Sequence, residues 1–200
     1  DGSVSPFLLQ RRDMQQIAAA MIADPQNAAL LVQLYGAVAA GVTDPVAGLL
    51  ARFHTPNEPI SFSPMSVLMD VASGTSAERR MLIERQAKTS LLGANLNQPV
   101  EFEDVDPSLV LGDDFREKPA SDTPLLLLSG SLDGRTYVES QRDAVSGLDN
   151  RQMITVVNAG HNLFMSSPEV TEAIERFMRG EPMENDEIVV ASPDFAATPR

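Results

Sequence analysis

Two short loops place ionisable groups where catalysis would need them. The first is Gly130-Ser-Leu-Asp133-Gly-Arg-Thr136 and the second is Asn158-Ala-Gly-His161. Each follows a short apolar run, Pro124-Leu-Leu-Leu-Leu-Ser-Gly130 before the aspartate and Met153-Ile-Thr-Val-Val157 before the histidine. Runs of this length, rich in Leu, Ile and Val, predict strands, the first of them buried on both faces. Open α/β sheets place their ligands beyond the C-terminal ends of such strands. If the two strands are neighbours, the Asp133 carboxylate can accept the Nδ1 proton of His161. That contact selects the tautomer and stabilises the imidazolium formed when the other ring nitrogen takes a proton from a nucleophile. An aspartate after a strand is also a common turn or cap residue, and a lone histidine after glycine a common loop residue. The pair, each member at its own strand end with one helix between them, favours the functional reading.

The elements around these loops read in order along the chain. Asp24-Pro25 and Asp44-Pro45 each set a capping carboxylate before a proline, which opens helices over 26–40 and to Ala51. The proline-containing stretch 54–62 predicts a loop, and Ser63-Pro64 starts a helix running to Val71, with Gly74 as its left-handed stop. Thr75-Ser-Ala-Glu78 predicts a capping box for a helix over 79–92, ended by Gly93. Residues 94–123 are acidic and irregular and read as a connector. After residue 124 the order becomes strand, polar helix (136–146), strand, helix, the order of a parallel α/β sheet. Ser167-Pro168 caps the last helix, whose apolar positions Val170, Ala173, Ile174, Phe177 and Met178 make one stripe. A short final strand is expected at 188–191. The fold class is therefore α/β, with a helical part and connector at 1–123 and a sheet part at 124–200.

Composition narrows the chemistry. Fifteen Lys and Arg against 28 Asp and Glu give a net charge of −13, which repels phosphate backbones and speaks against nucleic acid as a partner. The absence of cysteine removes disulfides, thiolate metal sites and a cysteine nucleophile, and two histidines are too few for a multi-histidine metal site. No cofactor and no metal are expected: there is no phosphate-cradling glycine loop, EF-hand spacing or zinc motif. The most apolar stretch, 28–42, is too short to span a bilayer, so no membrane partner is expected. No basic-then-apolar leader follows Asp1; a removed leader would imply a secreted or periplasmic protein.

The residues also resemble a known family. Pro124 to Thr136, followed by Val157-Asn-Ala-Gly-His161, is similar to the closing part of an α/β-hydrolase, where the catalytic acid follows the seventh strand and the histidine the eighth. Upstream, Ser73-Gly-Thr-Ser-Ala-Glu-Arg-Arg80, Leu91-Leu-Gly93, Asn97-Gln-Pro99 and Gly112-Asp-Asp-Phe-Arg116 resemble the prolyl iminopeptidase and tripeptidyl aminopeptidase branch. The resemblance implies that residues 1–123 contain that branch's helical cap, that Asp133 is the acid, and that His161 is the general base and acid. It further implies a peptidase releasing residues from peptide N-termini.

The nucleophile breaks the pattern. Hydrolases of this fold carry it in a Gly-x-Ser-x-Gly elbow between strand and helix, and no such pentapeptide occurs in these 200 residues. Ser131 lies in the acid's own loop. The expected reading is the C-terminal portion of a serine hydrolase, completed by an N-terminal part, carried on a companion chain or lost by truncation, that supplies the serine. The substrate would be a peptide or an ester. The unpaired apolar strand at 124–129 would aggregate without neighbours from elsewhere, which supports that reading. The alternatives are a carboxylesterase of the same fold and a non-catalytic binding or assembly subunit. His54 is expected to be a surface loop residue. Glu101, Glu103, Asp104 and Asp106 read as a solvated acidic linker, although in this branch acidic cap residues hold a peptide's α-amino group.

Overall fold

The structure, a computed structural model, describes residues 8–53, 63–94, 106–164 and 166–196. The elements are α1 (Arg11–Met21), α2 (Pro25–Ala39), α3 (Asp44–Phe53), α4 (Pro64–Ser73), α5 (Ala77–Ala87), β1 (Leu125–Gly130), α6 (Val138–Ala144), β2 (Arg151–Val157), α7 (Pro168–Met178) and β3 (Glu187–Val189). They divide into two compact units. One comprises the described residues of Asp1–Ala20 and Val42–Arg116, the other Met21–Gly41 and Glu117–Arg200. Met21–Gly41, which the sequence reading groups with the helical part, thus belongs with the sheet. A direct tie is the backbone N–H of His161, which donates to the carbonyl of Ala23 at 2.8 Å.

In the helical unit, Met14, Ile17 and Ala18 of α1, Val46 and Leu50 of α3, and Val71 of α4 are buried. The helix starts follow local chemistry, with two departures from the sequence reading. The α3 helix begins at Asp44 itself, with Ala47 N–H donating to the Thr43 carbonyl, so Asp44 stands in the first turn rather than at the cap. The cap of α5 is Ser76, whose hydroxyl accepts from Arg79 N–H at 3.2 Å. Glu78 then falls one place short of the position that would close a capping box around Ser76. This helix ends at Ala87, and Leu91, inside the expected span 79–92, lies beyond it and is exposed. The expected loop 54–62 and residues 95–105 of the connector lie outside the described residues.

The sheet unit is a parallel three-stranded sheet in the order β1-β2-β3, with Leu125 to Gly130 paired in register with Arg151 to Val156 and Thr155 to Val157 paired with Glu187 to Val189. Asp24 caps α2 through its carboxylate, which accepts from Gln26 and Asn27 N–H at 2.8 and 3.0 Å. One apolar cluster of Val156, Ala159, Leu163 and Val170, flanked by Leu128, Ile174, Ile188 and Val190, joins α7 to all three strands. Met178, read as part of the α7 stripe, points to solvent instead.

The leucines of β1 are only half-buried, contrary to the expected burial on both faces; Ser129 and Gly130 alone are buried in this strand. The reason is position. Leu125 and Ser131 donate their N–H groups toward β2, to the carbonyls of Asn150 and Val156. By the alternation of a strand, Leu126 and Leu128 direct theirs to the opposite edge, with which no strand pairs among the described residues.

Because Ser167 caps the helix that closes the core, its hydroxyl accepting from Val170 N–H at 3.3 Å, Ser167→Ala should cost about 1 kcal/mol of stability. Urea unfolding of the full chain measures it.

Candidate active site

The ends of β1 and β2 are stitched together by backbone. Ser131 N–H donates to the Val156 carbonyl at 3.0 Å and Leu132 N–H to the Ala159 carbonyl at 2.9 Å. Asn158 N–H donates to Ser131 Oγ at 2.9 Å, and its side-chain Nδ2 donates to the Val190 carbonyl at 3.0 Å. Asn158 has φ +69°, the left-handed region that asparagine tolerates better than other side chains do. It therefore reverses the chain directly after β2 while binding the segments after β1 and β3.

This stitching needs glycines. A Cβ on Gly130 would stand 2.1 Å from the Gly160 carbonyl oxygen, and one on Gly160 would stand 2.3 Å from the Ala23 carbonyl oxygen and 2.6 Å from the Pro25 ring. Those neighbours are backbone and a proline ring, which cannot swing aside.

The consequence is that Asp133 and His161 meet. His161 Nδ1 lies 2.9 Å from Asp133 Oδ2, as the strand-end reading expects of neighbouring strands. The Asp133 side chain is 3% exposed and that of His161 39%, so the acid is sealed while the base faces outward. Asp133 Oδ1 accepts from Arg135 and Thr136 N–H at 2.8 and 3.0 Å. Burial works to raise the Asp133 pKa, but the Thr136 amide, the His161 ring and the Arg135 amide overcome it and hold the carboxyl below its ordinary value of 3.8. At neutral pH Asp133 is thus an ionised, acceptor-only group, so the nitrogen facing it carries a proton. In the neutral ring the lone pair then lies on Nε2, which has no hydrogen-bond partner among the described residues.

Two side chains that sequence reasoning missed complete the setting. Ser129, buried in β1, donates its hydroxyl to Gln141 Oε1 at 2.6 Å. Gln141 Nε2 donates to the Thr136 carbonyl at 2.9 Å and stands 3.5 Å from Asp133 Oδ2. A lone hydroxyl in an apolar run signals that some partner must exist, but nothing in the polar α6 sequence singles out Gln141.

Asp106 accepts from Ser108 N–H and Oγ at the start of a 3-10 turn, a local cap. His54, Glu101, Glu103 and Asp104 lie outside the described residues. Among the described residues no cluster of His, Asp or Glu could hold a metal ion, and no helix is long and apolar enough to cross a membrane. Of the glycines in the full sequence, only Gly130 and Gly134 stand four apart, and Leu132 occupies the place of an elbow serine between them. Residues 112–189, which contain both Asp133 and His161, match the family model described as TAP-like protein. No curated protein and no solved structure matches the chain.

Two outcomes follow from this geometry. Gly160→Ala should cost about 1–3 kcal/mol through overpacking against Ala23 and Pro25; unfolding by urea checks it, and a wild-type midpoint would contradict the close approach. Asp133, with its folded pKa below the unfolded value, contributes stability that is present above the ordinary value of 3.8 and lost as pH falls through the lower folded value. Asp133→Asn should therefore cost about 1–3 kcal/mol at neutral pH and flatten the acid side of the stability profile. An acid limb as steep as that of the wild type would sink the assignment.

Proposed function

We propose, from the premise that residues 112–189 are a C-terminal part of an α/β-hydrolase of the tripeptidyl aminopeptidase-like branch, that this chain supplies the acid and the base of a Ser-Asp-His triad. The serine comes from a companion part outside these residues. The observation that carries the reading is the 2.9 Å contact between His161 Nδ1 and a sealed, ionised Asp133. In such a triad Nε2 of His161 removes the proton of the serine hydroxyl as its oxygen attacks the scissile carbonyl. The imidazolium, steadied by Asp133, then gives that proton to the leaving amine as the C–N bond breaks. Water, deprotonated by the same nitrogen, attacks the acyl carbon; the bond to the serine oxygen breaks as the imidazolium returns the proton to that oxygen, releasing the acid and restoring the serine and the neutral ring. Asp133 stays ionised throughout. The open edge of β1 supports the companion part, because Leu126 and Leu128 offer backbone groups to a further strand.

The branch favours a peptidase acting at free N-termini. An esterase would use the same acyl-enzyme, and the absence of a Gly-x-Ser-x-Gly elbow in the chain favours a second reading, a non-catalytic assembly subunit.

Hydrolysis assays on the chain together with a polypeptide bearing the elbow separate these readings. A peptide with a free N-terminus should be cleaved in preference to its N-acetylated form, and His161→Ala should lower kcat/KM by about a thousandfold or more. Turnover unaffected by His161→Ala would overturn the triad assignment. Turnover of esters alone would identify the esterase, and no turnover of either class would favour the assembly subunit.

A further inference from the structure

The orientation of the Gln141 amide is dictated by its neighbours. The Thr136 carbonyl and the Asp133 carboxylate only accept hydrogen bonds, so the nitrogen must face them and the oxygen must face the Ser129 hydroxyl. Gln141 thereby touches the acid in two ways. It holds the carbonyl of Thr136, the residue whose own N–H grips Asp133 Oδ1 at 3.0 Å. It also brings an N–H to 3.5 Å from Oδ2, the same oxygen that receives His161 Nδ1. The second contact is the longer of the two, so the hold on Asp133 runs mainly through the Thr136 carbonyl at 2.9 Å.

We propose that Gln141 is a positioning residue for the Asp133–His161 pair, fixing the turn 133–136 and limiting the rotation of the carboxylate so that Oδ2 stays on Nδ1. The hydroxyl of Ser129 takes the amide oxygen, while the amide nitrogen alone serves the Thr136 carbonyl and the carboxylate. The inference rests on the triad reading for its purpose, but its geometry can be tested without turnover.

The test is nitrogen-15 NMR on the full chain. In the wild type, the Gln141 side-chain amide signals should move at the pH where Asp133 titrates; signals that stay still through that titration would overturn the proposal, and this readout needs no variant to fold. Gln141→Met should lower the ratio of the Nδ1-protonated to the Nε2-protonated tautomer of His161 by about fivefold, the weight of one ordinary hydrogen bond. Ser129→Ala, which loosens α6 on β1 but spares the donor, should leave that ratio within about twofold of wild type. An unchanged ratio in Gln141→Met, or an equal fall in Ser129→Ala, would reduce Gln141 to a packing residue and overturn the proposal. Asp133→Asn separates the two levels. If it shifts the tautomer ratio while Gln141→Met does not, only the role of Gln141 falls. If Asp133→Asn leaves the ratio unchanged, the Asp–His pair fails, and with it the triad reading.

Discussion

The approach of two backbone turns sets everything else in the sheet unit. The loops after β1 and β2 lie so close that a methyl group on Gly130 would overlap the Gly160 carbonyl, and one on Gly160 would overlap Ala23. Parallel strands in register end at the same level, so their following loops leave side by side. Glycine at the contact points lets those loops touch, and the hydrogen bonds of Ser131, Leu132 and Asn158 hold them there. Asp133 and His161 are then brought together by the backbone before any attraction between their side chains is considered.

Electrostatics completes what the backbone begins. A buried carboxylate is costly unless its lone pairs are used, and Asp133 spends them on two backbone amides and one imidazole. Those contacts keep it ionised against the pull of burial, and an ionised acid selects one tautomer of His161. The half-exposed ring of His161 then presents Nε2 outward. The carboxylate and the imidazole thus have different surroundings, one sealed and the other open to solvent.

The site's main pair was legible because each member follows a short apolar strand and one helix separates them. Asp24-Pro25 and Ser167-Pro168 likewise declared their helix starts through backbone chemistry that acts over a few residues. What escaped depends on which side chains the folded chain brings together. Gln141 is one polar residue on a polar helix, and only its placement beside Thr136 and Ser129 gives it a role. The company of Met21–Gly41 was hidden for the same reason, since the bond from His161 to Ala23 spans most of the chain. The capping box at Thr75 went astray by one residue, because Thr75 and Ser76 are both competent caps and only the Ser76 hydroxyl meets the amide of Arg79. The half-burial of β1 has another origin, an edge left open where the sequence alone implied cover on both faces.

The central claim is that this chain holds the acid and base of a hydrolytic site whose nucleophile stands elsewhere. Intact mass spectrometry after treatment with a fluorophosphonate, on the chain assembled with a polypeptide bearing a Gly-x-Ser-x-Gly elbow, addresses it most directly. The account predicts one adduct on that companion and none on this chain, with the adduct lost when His161 is replaced by alanine. An adduct on this chain, at Ser131 or any other serine, would contradict it.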